Sequence, residues 1–284
     1  MRTALTIAAL LLLAALGGLL LWRQLDHRAD RAEMARLRAL QPAEPPRFDP
    51  TMVSGLPEPA RRYFGHVIAP GARLWTVAEI TMEGQFSLGT KAAPGYMDMR
   101  ATQVLAAPHG FVWKMSAGRG KMRMSGSDSG RWTRFWLAGL VPVARLSGDA
   151  DHARSAFGRY VAEAVFWTPA ALLPGPGIAW EAVGADTARV KVRHAGPHGE
   201  LVQPVEVTVD AEGRPVRVAF PRWSDANPER VHRIQPFGGH LSEFREFEGF
   251  RLPTHVEAGN HFGTEDYFPF FVADVTAVRF PAPE

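Results

Sequence analysis

The chain has 284 residues, 46% of them hydrophobic and 21% charged, a composition that excludes a disordered or fibrous protein and a length that allows one large domain or two small ones. It contains no cysteine, which excludes disulfides, thiolate metal sites and a cysteine nucleophile. The formal net charge of +3 lies entirely in residues 1–40, and the rest of the chain is balanced, so the charge does not favour a nucleic-acid partner.

The N-terminus contains a run of 20 residues without a charge, from Thr3 to Trp22. At roughly 1.5 Å per residue, about 20 apolar helical residues cross a hydrocarbon core of roughly 30 Å. Trp22 and Arg23 are typical of the membrane interface. A cleaved signal peptide would have a shorter apolar core and a small-x-small cleavage site, which the sequence after Trp22 does not offer. We therefore predict an uncleaved transmembrane anchor over residues 1–23.

Residues 24–47 connect this anchor to the rest of the chain. Good helix formers continue to about residue 40 and predict a helical stalk, and the proline-rich residues 41–47 predict a linker. No second linker and no internal repeat follow, so residues 48–284 are predicted to form a single domain. The arginines bear on orientation, because one precedes the apolar run and five follow it. The positive-inside rule taken alone therefore places the domain in the cytoplasm.

The domain is predicted to consist mostly of strands. Residues 78–86 alternate cleanly between apolar and polar side chains, and residues 119–124 alternate as well. Further strands are expected near residues 97–106, 110–117, 130–137, 178–183, 187–194, 201–209, 215–222, 241–248, 251–259 and 270–280. Short strands with one apolar face favour an antiparallel sheet that is strongly curved, a half-barrel.

Two helices are predicted to interrupt the strands, one from Pro57 to Val67 and one from Asp151 to Trp167, with Asp151 as the N-cap. One face of the second helix carries an apolar stripe of Ala153, Ala156, Phe157, Tyr160, Ala164 and Trp167. Such a stripe must be buried, and the apolar face of the sheet is the expected partner. The predicted fold class is therefore α+β, mainly β, in which a curved antiparallel sheet wraps one or two helices.

Methionines and tryptophans provide the candidate ligand-binding surface. Six of the nine methionines fall between Met82 and Met124, and methionine adapts to ligands of loose shape, although it also fills cores. Tryptophans near a basic strand could hold a head group at a pocket mouth, although aromatic residues also pack in the sheet core. The candidate ligand-binding residues are Met82, Met99, Trp113, Met115, Met122, Met124, Trp132, Trp136, Arg159, Tyr160, Glu163 and Trp167.

Catalytic and metal sites find little support in the sequence. Glu163 lies one turn after Arg159 at the edge of the apolar stripe, where it could act as an acid or form a border ion pair. The ten histidines do not follow a specific metal-ligand spacing, and the chain has no nucleotide-binding glycine motif and no nucleophile elbow. We therefore predict no catalytic residue, no metal and no cofactor.

Two stretches resemble the signatures of a widespread bacterial family of unknown function. They are Leu56-Pro-Glu-Pro-Ala-Arg-Arg-Tyr-Phe64 and Arg159-Tyr-Val-Ala-Glu-Ala-Val-Phe-Trp-Thr-Pro-Ala-Ala-Leu-Leu-Pro174, and the resemblance covers about Leu56 to Phe280. The family implies no activity. It directs attention to its motif positions, Arg62, Tyr63, Arg159, Tyr160, Glu163, Trp167 and Pro169.

Residues 244–257 are similar to the strand-turn-strand near the C-terminus of outer-membrane lipoprotein carrier proteins. The resemblance implies a strongly curved antiparallel sheet that wraps a few helices and shelters acyl chains. It also implies a domain outside the cytoplasm, against the positive-inside rule, and this conflict stays open. The chain departs from those carriers in one respect. They are soluble or anchored by a lipid, whereas this chain is predicted to be anchored by a helix.

The hypothesis preferred from the sequence is a membrane-tethered module that binds or carries a lipid or other hydrophobic ligand. Arg119, Lys121, Arg123 and Arg134 are the side chains expected to meet an anionic head group. The alternatives are a hydrolase or isomerase acting on a hydrophobic substrate, with Glu163 or a histidine as base, and a non-catalytic sensor or assembly partner. The expected partners are the bilayer and a lipid or acyl ligand, with protein partners left open. The expected location is the bacterial inner membrane, with the domain on the periplasmic side.

Overall fold

The computed structural model describes residues 1–282, which form three α-helices and thirteen strands of one antiparallel sheet. The helices are α1 (Arg2–Arg38), α2 (Glu58–Val67) and α3 (Ala150–Trp167). The strands are β1 (Ala78–Phe86), β2 (Met97–Ala106), β3 (Gly110–Ala117), β4 (Met124–Ser129), β5 (Trp132–Leu137), β6 (Val141–Ser147), β7 (Ile178–Ala182), β8 (Thr187–Gly196), β9 (Gly199–Val209), β10 (Pro215–Ser224), β11 (Arg233–Phe247), β12 (Phe250–Asn260) and β13 (Phe268–Arg279). The predicted fold class, mainly β with one open antiparallel sheet, is confirmed.

The sheet consists of two meanders joined at its centre. Its strand order is β6-β5-β4-β3-β2-β1-β13-β12-β11-β10-β9-β8-β7, so β6 and β7 form the two edges. The central pair is β1 with β13, which lie almost 200 residues apart in sequence, for example Glu79 opposite Arg279. Because consecutive strands β6 and β7 lie at opposite edges, the chain has to cross the sheet between them. It does so as α3.

The sheet is strongly curved around α3. This helix contacts β2 and β3 in one meander and β9, β10 and β12 in the other. In a flat sheet, β3 and β10 would be six strand positions, or about 29 Å, apart. A helix about 10–12 Å wide cannot reach both, so the sheet must wrap it. The curvature brings His109, in the β2–β3 turn, within 5.0 Å of His194 in β8, measured between ring centroids.

Helix α3 is buried on most of its circumference. All six residues of its predicted stripe are buried, and so are neighbours such as Val161 and Val165, because the curved sheet reaches beyond one face of the helix. Its N-cap is Asp149 and not the predicted Asp151: the Asp149 carboxylate accepts the backbone N–H of His152 at 2.6 Å. Helix α2, predicted from Pro57, forms from Glu58 with proline just inside its first turn.

The region around residue 120 corrects one prediction. Residues 119–124, predicted as a strand, contain a short 3-10 turn over Gly120–Met122, because Gly118 and Gly120 adopt positive φ values of 78° and 54°. The next strand, β4, starts only at Met124, and sequence analysis missed it together with β6. Strand β4 reads Met-Ser-Gly-Ser-Asp-Ser, which is the composition of a turn.

Helix α1 continues without a break from the apolar run into the segment predicted as a stalk. Its first half is exposed, and it is long and apolar enough to cross a membrane. Its second half packs on the convex face of β2 and β3, where Met34 and Leu37 form a small second core with Val77, Val104, Ala106 and Val112. The covered strands are therefore buried on both faces, as in Gln103–Ala106.

Three acidic residues of α1 fasten it to the sheet. Asp26 accepts hydrogen bonds from both Nη atoms of Arg145, at 2.8 and 2.9 Å, and from the Trp136 indole at 2.9 Å. Asp30 accepts the Ser127 hydroxyl at 2.7 Å, and Glu33 pairs with Arg131 at 3.5 Å. Burial by itself would raise the pKa of Asp26, but its hydrogen bonds and the positive charges of Arg145 and Arg134 hold that pKa below its usual value.

Candidate functional site

A cavity of about 520 Å³ lies between α3 and the concave face of the sheet. Its volume falls within the range of about 300–1,000 Å³ that is usual for small-molecule sites. Both meanders contribute to its wall, which is dominated by apolar side chains: Phe86, Leu88, Trp113, Met115, Met124, Phe135, Val143, Phe166, Trp167, Val218, Phe220, Phe237, Leu241, Val256, Phe270 and Phe271. A hydrocarbon chain is therefore more stable in contact with this wall than in water.

Small residues in the wall leave this space unfilled. Ala162 of α3 faces the cavity, as do Ala144 of β6 and Ala258 of β12. Larger side chains at these positions would extend into the volume between helix and sheet, which interiors otherwise fill to near-crystalline density. The cavity reaches the surface where its wall includes Leu88 and Val143, whose exposed fractions are 69% and 50%.

One side of the wall is polar and is organised by Arg159 of α3. The Arg159 Nε donates to Glu163 Oε1 at 2.8 Å, and its Nη1 donates to Asp128 Oδ2, on β4, at 2.7 Å. The second oxygen of each carboxylate is also used: Thr133 donates to Asp128 Oδ1 at 2.6 Å, and the Gln103 amide donates to Glu163 Oε2. One guanidinium is thereby held between two carboxylates.

Aromatic rings complete the environment of Arg159. Its guanidinium carbon lies 4.6 Å from the ring centroid of Phe111 and 4.9 Å from that of Trp113. Burial would lower the pKa of Arg159, but the charges of Glu163 and Asp128 outweigh it and raise that pKa. The positions on α3 are one helical turn apart, so the helix presents Arg159 and Glu163 on the same side as a pair.

A second arginine in the wall, Arg222 of β10, is arranged differently. Its guanidinium carbon lies 4.6 Å from the ring centroid of Phe237, and it makes no hydrogen bond or ion pair with any residue among 1–282. Its Nε is screened from solvent. Burial, together with the positive charge of Arg159, lowers the pKa of Arg222 to about 10, so that it stays protonated at neutral pH.

The structure distributes the predicted site residues over four places. Six of them line the cavity: Trp113, Met115, Met124, Arg159, Glu163 and Trp167. Met82, Met99 and Tyr160 are buried in the surrounding core without lining it. Met122 is 70% exposed on the 3-10 turn, because that segment is not a strand. Trp132 and Trp136 lie on the convex face, where their indole N–H groups donate to Ser127 and Asp26 beneath α1.

The basic residues expected to meet a head group also lie away from the cavity. Arg134 is on the convex face, 3.4 Å from Asp26, and Arg119, Lys121 and Arg123 are exposed around the 3-10 turn. The charged residues of the wall that sequence analysis missed are Asp128, Arg222 and Glu257. The sequence pattern could have identified Arg222, because it alternates with Val218 and Phe220 and therefore shares their apolar strand face. No such pattern marks Asp128, since its strand resembles a turn.

The motif residues of α2 support the fold. The Tyr63 hydroxyl donates to the Val165 carbonyl of α3 at 2.5 Å, and complete burial raises the pKa of Tyr63 well above its usual value. Arg62 pairs at the surface with Glu58 and Asp186.

Among residues 1–282, no three side chains of the types that bind metals lie close enough together to hold an ion.

A sequence model for a family of unknown function (DUF6544) matches residues 46–273. The match covers the whole region from the end of the linker to β13, and the chain belongs to this family. A search of curated proteins found no match.

The solved structures to which the chain is similar include proteins from three bacteria. A LolA superfamily protein from Nitrosomonas europaea has 9% identity and a TM-score of 0.38, with 72% of this chain and 86% of that chain covered. An outer-membrane lipoprotein-sorting protein domain from Vibrio parahaemolyticus has 13% identity and a TM-score of 0.36, with coverage of 81% and 91%. A DUF1329 family protein from Desulfovibrio piger has 11% identity and a TM-score of 0.38, with coverage of 72% and 86%.

Proposed function

We propose that this member of the DUF6544 family is a membrane-tethered module that binds or carries a lipid or other hydrophobic ligand. The observation that carries the proposal is the cavity of about 520 Å³, whose wall is mostly aromatic and aliphatic and reaches the surface at Leu88 and Val143. An empty apolar space of this size between packed elements forfeits dispersion contacts. A hydrophobic ligand would restore them, so the site favours an apolar occupant.

The placement of α1 supports a tether that fixes the orientation of the domain. Its apolar half projects from the body, whereas its second half is held on the sheet by buried carboxylates. Where the helix leaves the body, Arg23 donates to Ser125 at 3.1 Å, and Trp22 packs on Trp136 with ring centroids 5.6 Å apart. A helix fastened in this way cannot swing freely, so the domain would keep one side toward the bilayer.

That side includes one border of the cavity opening. The β5–β6 hairpin lies beside Arg23 and exposes Leu140 and Val141, and Val143 of the opening follows two residues later on β6. The neighbouring 3-10 turn adds the exposed Met122 and basic side chains. Apolar and basic groups together suit an anionic bilayer surface. A ligand would then pass between bilayer and cavity over a short distance.

The test is a binding measurement on the full chain held in amphipol, with the fluorescent acyl probe cis-parinaric acid and with native mass spectrometry of the purified protein. Ala258→Trp places a large side chain in the cavity from β12 and is expected to abolish probe binding. Arg251→Trp, at an exposed position of the same strand, serves as the matched control and should bind like wild type. Wild-type protein that binds no acyl probe and carries no copurified hydrophobic ligand would refute the proposal.

A further inference from the structure

The buried side-chain atoms of the cavity wall that lack a hydrogen-bond partner are all donors. Within residues 1–282, buried polar atoms without a partner include Arg222 Nε and the indole nitrogens of Trp113 and Trp167, and all three residues line the cavity. The wall carboxylates differ: Asp128 and Glu163 have each oxygen engaged by a donor, and Glu257, whose side chain is 40% exposed, lies 3.6 Å from His255. The wall is therefore short of acceptors, and a buried donor without an acceptor is costly.

Arg222 is the strongest of these donors. Arginine presents a planar fork that matches a carboxylate or phosphate with two parallel hydrogen bonds. The ring of Phe237, 4.6 Å away, covers the guanidinium and leaves its edge as the bonding direction. On the same strand, Arg217 also stacks on a phenylalanine, Phe262, but it is exposed on the opposite face and does not line the cavity.

Charge balance is the competing explanation for Arg222. Arg159 with Asp128 and Glu163 carries a formal excess of one negative charge, and Arg222 would neutralise it at a distance. Charge balance, however, does not require an arginine that makes no hydrogen bond to any described residue of the protein. Buried charged groups are normally paired directly, and this one faces the cavity without a partner.

We infer that Arg222 binds the anionic head group of the ligand, so that the cavity selects amphiphiles with one carboxylate or phosphate head over neutral hydrocarbons or alcohols of equal length. The inference rests on the proposed function, because it assigns the head-group end of the same cavity. The head group supplies the acceptor that the wall lacks, and the hydrocarbon tail occupies the aromatic and aliphatic part of the space.

The experiment compares three probes that share an oleyl chain: oleate, oleyl phosphate and oleyl alcohol. Each displaces cis-parinaric acid from the full chain in amphipol. Wild type is expected to bind at least one of the two anions about 10- to 100-fold more tightly than the alcohol, which is the range of a charge-assisted hydrogen bond. The tighter anion identifies the head-group class. Arg222→Gln should remove this preference and leave alcohol affinity within about twofold, whereas Arg217→Gln should leave both unchanged.

The outcomes separate the inference from the proposed function. Wild type that binds all three probes equally overturns the inference and leaves hydrophobe binding in place. Equal losses for anions and alcohol in Arg222→Gln would assign Arg222 a structural role and overturn it as well. Wild type that binds no probe contradicts the proposed function itself. If Arg222→Gln does not fold, Arg222→Lys replaces it, because lysine keeps the charge without the planar fork. The inference then requires that wild type prefers an anion and that Arg222→Lys reduces this preference.

Discussion

Replacing Asp26 by alanine is expected to loosen the hold of the sheet on α1. The substitution removes an acceptor that is 6% exposed and leaves the two Arg145 donors and the Trp136 indole without it. Arg145 is 26% exposed and Arg134 21%, so both can regain water, whereas the Trp136 indole cannot. Bonds to charged groups contribute about 1.5–3 kcal/mol each, and partial rehydration reduces the net loss to about 2–3 kcal/mol.

Because the chain has no cysteine, a single one reports on this docking without background. Val112 is fully buried beneath α1 in contact with Met34 and Leu37, so a thiol in Val112→Cys reacts with a maleimide only when the helix lifts or the domain unfolds. Asp26→Ala should accelerate labelling about 30- to 150-fold, the rate equivalent of 2–3 kcal/mol. Asp98→Ala, which removes an exposed ion pair with Arg119, is the matched control and should leave the rate unchanged.

Labelling of Asp26→Ala within twofold of its parent would refute the reasoning that this carboxylate fastens the helix. Val112→Cys that labels at the rate of unfolded protein even with Asp26 intact would contradict the docking of α1 as a whole.

Two further predictions concern pH and topology. The contribution of Asp26 is complete above its ordinary pKa of 3.8 and is lost as pH falls through its lowered folded-state pKa, so the Tm difference between wild type and Asp26→Ala, measured by circular dichroism, should shrink below pH 3.8. A difference that grows toward acid pH would contradict this sign. A C-terminal alkaline phosphatase fusion is expected to be active, as the carrier resemblance implies for a periplasmic domain. A fluorescent C-terminal GFP fusion with an inactive phosphatase fusion would instead support the orientation that the positive-inside rule favours.

The two faces of the sheet have separate tasks in this fold. The convex face of β2–β6 receives α1 and pairs its acidic residues with Lys114, Arg131, Arg145 and the Trp136 indole. The concave face receives α3 and leaves a cavity beside it. One bond that holds α1 and one bond of the polar side of the cavity involve neighbouring residues of β4, Ser127 and Asp128, whose side chains point to opposite faces. A change in β4 can thus affect both anchor and ligand.

The local elements of this protein follow from short-range patterns in its sequence. Sequence patterns were sufficient to predict the apolar helix before Trp22, the strand Ala78–Phe86 and the buried stripe on α3. The reason is that a helix or strand depends on neighbours within a few residues. The same reasoning failed at β4, where a turn-like composition becomes a strand because β3 and β5 pair with it and α1 covers it.

The tertiary structure alone decided which residues meet in the cavity. Alternation places Trp132 and Trp136 on one strand face, but it does not tell which face is concave, and they lie beneath α1. Arg159 and Arg222 share one wall only because β1 pairs with β13 and the resulting sheet bends around α3. Pairings over such separations depend on the closure of the whole chain, which no local pattern encodes.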